Sequence, residues 1–165
     1  MNTDKLYLVG FMGAGKTSVA RALGKRIDWR VADIDERIEA RERRSVTAIF
    51  HQDSESYFRR AERLELLDLV AQRHLVVAAG GGTFADPENR ATMLADGAVA
   101  WLDVPLSYVL ARIPQDGRRP LVHDRAQLEA LYLSREAAYH EAHVRIDGIG
   151  PIGEIVERLM AWMDY

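Results

Sequence analysis

The chain contains no cysteine. That excludes disulfides, thiolate nucleophiles and cysteine-based zinc sites, and it fits a reducing compartment. No stretch approaches the roughly 18 consecutive apolar residues of a membrane span. The apolar run Leu6–Val9 is too short for the core of a secretion signal, so a cytoplasmic location without a membrane partner is expected. Neither sign of charge dominates: 22 Lys and Arg stand against 25 Asp and Glu, a net charge of −3. This argues against a general nucleic-acid binder while leaving room for a local basic pocket. Internal repeats, low-complexity tracts and Pro/Gly/Ser-rich linkers are also missing. What remains is 165 residues, 48% apolar and 28% charged, the length and balance of one domain spanning 1–165. A monomer is expected.

Five short apolar runs alternate with helical patterns. Lys5–Val9, Arg30–Asp33, Leu75–Ala79, Ala98–Leu102 and Val144–Ile146 read as strands. Lys16–Ile27 carries apolar residues at Val19, Ala20, Leu23 and Ile27, a helical spacing. Further helices are predicted over Ile34–Arg43, Val46–Phe50 with Ser45 as N-cap, Ser56–Arg73, Pro87–Leu94, Pro105–Ile113, Arg125–His140 and Ile152–Trp162. In Ser56–Arg73, Phe58, Leu64, Leu67, Val70 and Ala71 supply much of the expected apolar face. Pro114–Asp124 has no apolar period and reads as a loop. Alternating strands and helices imply an α/β fold with a covered parallel sheet. Ligands then bind beyond the carboxyl ends of the strands.

Gly10-Phe11-Met12-Gly13-Ala14-Gly15-Lys16-Thr17 fits G-x-x-x-x-G-K-[ST], the phosphate-binding loop, and has the required strand before it and helix after it. Its backbone N–H groups can curl around phosphate oxygens, and the following helix presents its positive end to the same anion. Lys16 supplies a charge between the β- and γ-phosphates of ATP, and Thr17 a hydroxyl ligand for Mg²⁺. The bland alternative is a glycine-rich turn with an ordinary lysine.

Asp33 and Asp35 end the second strand. If strand geometry persists, their i, i+2 spacing puts both carboxylates on one face. One can hold Mg²⁺ through water and the other can take the proton of an attacking hydroxyl; either can instead simply cap the next helix. Arg59 can pair with Glu55 and Glu62 on a helix surface, and Arg135 can be a solvated helix charge. The functional alternative is a pair of guanidiniums clamping a substrate carboxylate. Gly80-Gly81-Gly82 after a core strand implies a tight turn or a close backbone approach by a ligand. Arg112, Arg118, Arg119 and Arg125 surround residues 114–124, either a solvated loop or a basic lid over ATP. His140 and His143 lack a third convergent ligand and make a poor zinc site. Trp29, Trp101 and Trp162 read as packing residues, and Tyr139 fits either role.

Taken in order, these segments resemble the shikimate kinase family over essentially the full length. The resemblance rests on Gly10–Thr17; Asp33-Ile34-Asp35 followed by Ile38-Glu39; Ile49-Phe50; Phe58-Arg59-Arg60-Ala61-Glu62; Gly80–Gly82; Arg112 with Arg119-Pro120-Leu121; and Arg135 with Tyr139. It implies a nucleoside-monophosphate-kinase-like P-loop fold, five parallel strands in order 2-3-1-4-5, a substrate-binding segment over about 34–62 and a lid over about 114–124. It implies ATP-dependent phosphorylation of shikimate to shikimate 3-phosphate in aromatic amino-acid biosynthesis.

In that resemblance Gly13, Ala14, Gly15, Lys16 and Thr17 hold the nucleotide, and Thr17 and Asp33 stand at the Mg²⁺. Asp35 holds the acceptor hydroxyls. Arg59, Gly81 and Arg135 contact shikimate, with Gly80 and Gly82 beside them. Arg119 lies over the phosphates and Arg112 stacks on adenine; Lys16, Asp35 and Arg119 are the expected catalytic residues. Two positions depart from the family pattern. Ser54 replaces the usual Gly before Glu55, and Gly148-Ile149-Gly150-Pro151 offers no obvious side chain to grip adenine. The rival readings are another small-metabolite kinase, such as a gluconate kinase, a nucleoside monophosphate kinase, or a nucleotide-binding switch without turnover.

Overall fold

The computed structural model describes residues 3–112 and 125–165. Among them are five strands, β1 (Lys5–Val9), β2 (Arg30–Asp33), β3 (Leu75–Ala78), β4 (Ala98–Asp103) and β5 (Val144–Asp147). The helices are α1 (Lys16–Ile27), α2 (Ile34–Glu42), α3 (Val46–Gln52), α4 (Glu55–Val70), α5 (Pro87–Asp96), α6 (Leu106–Arg112), α7 (Arg125–Tyr139) and α8 (Ile152–Met163). All strand pairs are parallel, and the sheet order is β2-β3-β1-β4-β5, the expected 2-3-1-4-5.

β1 and β3 are buried along their whole length, which is why they read as continuous apolar runs rather than alternating ones. With β1 central, its carboxyl end and that of β3 point the same way. The loop from β1 into α1 and the turn after β3 therefore lie side by side. α2 follows β2 at the same edge. The topology alone gathers Gly10–Thr17, Asp33–Asp35 and Gly80–Gly82.

Local chemistry ends the elements where sequence signals put them. Ser45 accepts from the Ala48 N–H at 3.0 Å and caps α3. Asp86 accepts from the Glu88 and Asn89 N–H groups, both at 2.9 Å, with Pro87 in the first turn of α5. Ser54, the departure noted above, caps α4 by accepting from the Tyr57 N–H at 3.1 Å. Its backbone is extended, so no glycine is required there.

The expected apolar face of α4 is corrected. Leu64 and Leu67 are 52% and 46% exposed. The buried side is instead Phe58, Ala61, Glu62, Glu65, Leu66 and Leu69. Two carboxylates are turned inward because each meets arginine. Glu65 accepts from Arg37 Nε at 2.8 Å and Arg41 Nη1 at 2.9 Å, both on α2. Glu62 accepts from Arg59 Nη1 at 2.8 Å.

At the amino end of the sheet, Lys5 is fully buried. Its Nζ donates to the Leu69 and Val70 carbonyls at 2.8 and 2.9 Å and to Asp96 Oδ2 at 2.6 Å. The Tyr7 hydroxyl donates to the same Asp96 oxygen at 2.5 Å, and Arg73 reaches Asp96 Oδ1 at 3.2 Å. This fully partnered cluster ties β1, the end of α4 and the end of α5 together, remote from the carboxyl ends of the strands.

Candidate active site

Gly13 and Gly15 sit at φ 73° and 89°, the left-handed region that favours glycine. α1 begins at Lys16 with no side-chain cap, so its first N–H groups remain available to an anion. Lys16 Nζ donates to the carbonyls of Gly10 and Phe11 at 2.9 and 2.8 Å. The Thr17 hydroxyl donates to Asp33 Oδ2. Asp33 Oδ1 accepts from the Glu36 N–H at 3.1 Å. Asp33 is thus both the cap of α2 and the carboxylate beside Thr17, one oxygen for each task.

Asp35 is not on a continued strand. β2 ends at Asp33, and Asp35 lies in the first turn of α2. The helix turns its carboxylate toward Gly80: a Cβ on that glycine would lie 3.0 Å from Asp35 Oδ1. None of Gly80–Gly82 has a positive φ. They are required by space rather than by dihedral angle. A Cβ on Gly81 would lie 3.0 Å from Arg135 Nη1 and 3.3 Å from the Met12 backbone nitrogen. On Gly82 it would lie 2.6 Å from Arg59 Nη1 and 2.9 Å from Arg135 Nη2. Both guanidiniums therefore converge on Gly82.

The surface reading of Arg135 fails: the residue is 6% exposed. No carboxylate among the described residues lies within ion-pair distance of it, and burial pushes its pKa down. Arg59 keeps both predicted helix partners, Glu62 at 2.8 Å and Glu55 at 3.4 Å, and still faces the glycine turn. Glu62 is fully buried, and burial pushes its carboxyl up against the opposing pull of Arg59. Arg135 therefore brings to Gly82 a positive charge with no carboxylate among the described residues within ion-pair distance, whereas Arg59 is shared with Glu55 and Glu62. In the sequence Glu62 stands as a surface partner of Arg59 and as the last residue of the Phe58–Glu62 segment that carries the resemblance; the structure buries it.

Two clefts result. One, about 490 Å³ of open space, is lined by Met12, Asp35, Val46, Phe50, Phe58, Arg59, Glu62, Gly80–Gly82 and Arg135. It is apolar on one side and charged on the other. Of its apolar side chains, Met12, Phe50 and Phe58 stand in segments that carry the family resemblance, whereas Val46 reads only as the start of a helix. The second, about 700 Å³, is lined by Gly13, Gly15, Lys16, Thr17, Ser18, Asp33, Asp35 and Ala79–Gly81. Asp35, Gly80 and Gly81 belong to both and form the wall between them.

Ala14 is buried within the loop, its N–H bonded to the Phe11 carbonyl at 3.2 Å. Arg112 lies with its guanidinium 4.3 Å from the Tyr108 ring centroid and Nη1 3.6 Å from where a Gly15 Cβ would be, overhanging the loop. Arg118, Arg119 and the expected lid lie outside the described residues, and Arg125 opens α7. His143 Nδ1 accepts from the Val99 N–H at 3.0 Å, and His140 packs edge-on against Trp101. Among the described residues no group of three or more His, Asp or Glu can hold a metal, and no helix is long and apolar enough to cross a membrane.

The shikimate kinase family model matches residues 12–164. The shikimate kinase of Persephonella marina is 39% identical over 160 residues, covering 93% of this chain and 98% of the relative. Shikimate kinase from Acinetobacter baumannii in complex with shikimate superposes with a TM-score of 0.92 at 32% identity, over 97% of this chain and 92% of that one. Shikimate kinase from Aquifex aeolicus gives 0.89 at 30% identity, over 97% and 96%. The chain belongs to the shikimate kinase family, whose activity is ATP-dependent phosphorylation of shikimate.

Proposed function

We propose that the two clefts divide this reaction between them, the P-loop side taking ATP and the arginine side taking shikimate. The observation that carries this reading is the shared wall of Asp35, Gly80 and Gly81. Arg59 and Arg135 hold the shikimate carboxylate at Gly82, and the ring lies along Met12, Val46, Phe50 and Phe58. This directs the ring hydroxyls toward Asp35. The hydroxyl oxygen attacks the γ-phosphorus as its proton passes to the Asp35 carboxylate. The bond from that phosphorus to the bridging oxygen breaks, its electron pair leaves with ADP, and shikimate 3-phosphate remains.

Lys16 exchanges the carbonyls of Gly10 and Phe11 for phosphate oxygens. The hydroxyl–carboxylate pair of Thr17 and Asp33 suits Mg²⁺, a cation that keeps several waters and takes few protein ligands. Those two residues would hold the ion, which supplies charge neutralisation on the phosphates when bound. Arg112, which overhangs the phosphate loop, stacks on adenine. The protein acts as a cytoplasmic monomer on small molecules. The test is ADP release with ATP and Mg²⁺, offering shikimate, gluconate, CMP and AMP in parallel. Turnover with shikimate alone is expected; faster turnover of gluconate or a nucleotide overturns the reading.

A further inference from the structure

The turn Gly80–Gly82 must present its backbone in one orientation to serve the acceptor cleft. Two of its carbonyls are held within the turn: the Thr83 N–H donates to Gly80 at 3.1 Å and the Ala85 N–H to Gly82 at 3.2 Å. The third is held from outside. The Tyr139 hydroxyl donates to the Gly81 carbonyl at 2.5 Å. Tyr139 is 2% exposed and lines neither cleft. It sits one helical turn after Arg135 on α7, so one face of that helix carries both residues. Its ring packs 5.8 Å from the Trp101 ring, which leaves the hydroxyl little freedom to turn elsewhere.

All peptide bonds among the described residues are trans. In a planar trans peptide the C=O and the following N–H point in opposite directions. Holding the Gly81 carbonyl toward Tyr139 therefore aims the Gly82 N–H away from α7. That N–H donates to no acceptor among the described residues. Gly82 is also where the two guanidiniums converge: a Cβ there would meet Arg59 at 2.6 and 2.7 Å and Arg135 at 2.9 Å.

We propose that Tyr139 is a positioning residue. Its bond to the Gly81 carbonyl sets the Gly81–Gly82 peptide plane so that the Gly82 N–H serves as a third donor to the acceptor's carboxylate, beside Arg59 and Arg135. Tyr139 never touches the substrate. It acts from behind the turn, through the Gly81 carbonyl and beside the Arg135 guanidinium that its hydroxyl also faces. This rests on the acceptor reading of the arginine cleft given above.

The minimal test is Tyr139→Phe, which removes only the hydroxyl. The shikimate Kd by calorimetry and the shikimate KM should both rise about tenfold, as for a lost donor to a charged group. The ATP KM should rise much less than the shikimate KM, because Gly81 borders the nucleotide cleft while Gly82 does not line it. Tyr132→Phe is the matched control. It deletes another phenol-to-carbonyl bond, to Val104 at 3.1 Å, and should leave the shikimate KM unchanged. Amide exchange by NMR on the wild-type protein gives a readout that needs no variant: shikimate should slow exchange of the Gly82 N–H. An unchanged shikimate KM in Tyr139→Phe, an equal rise for both substrates, or a Gly82 amide unaffected by shikimate overturns the proposal. Wild-type protein that binds no shikimate overturns the acceptor reading itself, whereas normal wild-type binding with an unaltered variant overturns Tyr139 alone.

Discussion

Arg59 and Arg135 differ in setting although they converge on one point. Arg59 is held by Glu62 at 2.8 Å, while Arg135 lies buried with no carboxylate among the described residues to answer it. Both forks can accept a planar carboxylate in two parallel bonds, which an ammonium cannot reproduce. Arg59→Lys and Arg135→Lys should therefore raise the shikimate KM by at least about tenfold with little change in kcat. Asp35→Asn should do the reverse, lowering kcat by roughly 10²–10⁴ with a small change in KM. Steady-state kinetics separate the two outcomes, and a shikimate analogue with a neutral amide should lose less affinity in the arginine variants than in wild type. Lys16 and Thr17 were legible in the sequence because they close a phosphate-loop pattern of fixed spacing, and Asp33 because it ends a strand just before a helix. Arg135 was not legible as a buried group, since a charged residue in a helix pattern is ordinarily a surface residue. Only tertiary packing against Phe11 and the glycine turn removes it from water.

At the scale of elements, all five strands and the ends of most helices follow from apolar runs and capping residues. The inward face of α4 does not. Periodicity counts apolar side chains, and this helix buries Glu62 and Glu65 where a leucine would have marked the stripe. Their partners come from α2 and from α4 itself, so only assembled helices make the burial favourable. Burial raises the Glu62 carboxyl above its ordinary value of 4.5. Between the unfolded and folded values the native protein holds the extra proton. Stability contributed by this group is present at low pH and falls as pH rises through that window. The unfolding midpoint of wild type relative to Glu62→Gln should therefore decline as pH is raised from about 4.5, measured by urea titration from acid to neutral pH. A difference that grows with pH would mean that the Arg59 attraction outweighs burial.

Across the whole molecule the two ends of the sheet do different work. The amino end carries the Lys5–Asp96 pair, buried and closed by Tyr7 and Arg73, while the carboxyl end carries both clefts. Asp96→Asn leaves a buried ammonium without its counter-charge and should cost about 3–5 kcal/mol of unfolding free energy. The shikimate and ATP KM values, measured well below the melting temperature, should not move, because the change lies at the far end of the strands. At the reacting end, the common boundary of Asp35, Gly80 and Gly81 gives the two ligands a place to influence one another. If nucleotide shifts that boundary and changes shikimate affinity by some factor, shikimate must return the same factor to the nucleotide. Each substrate is then an effector of the other through three residues. A single molecule reaching across the boundary would make its second binding event intramolecular, at the high effective concentration a short tether gives. Its tether would have to pass Asp35 without displacing the carboxylate, and that gap sets the limit on how thick the connection can be.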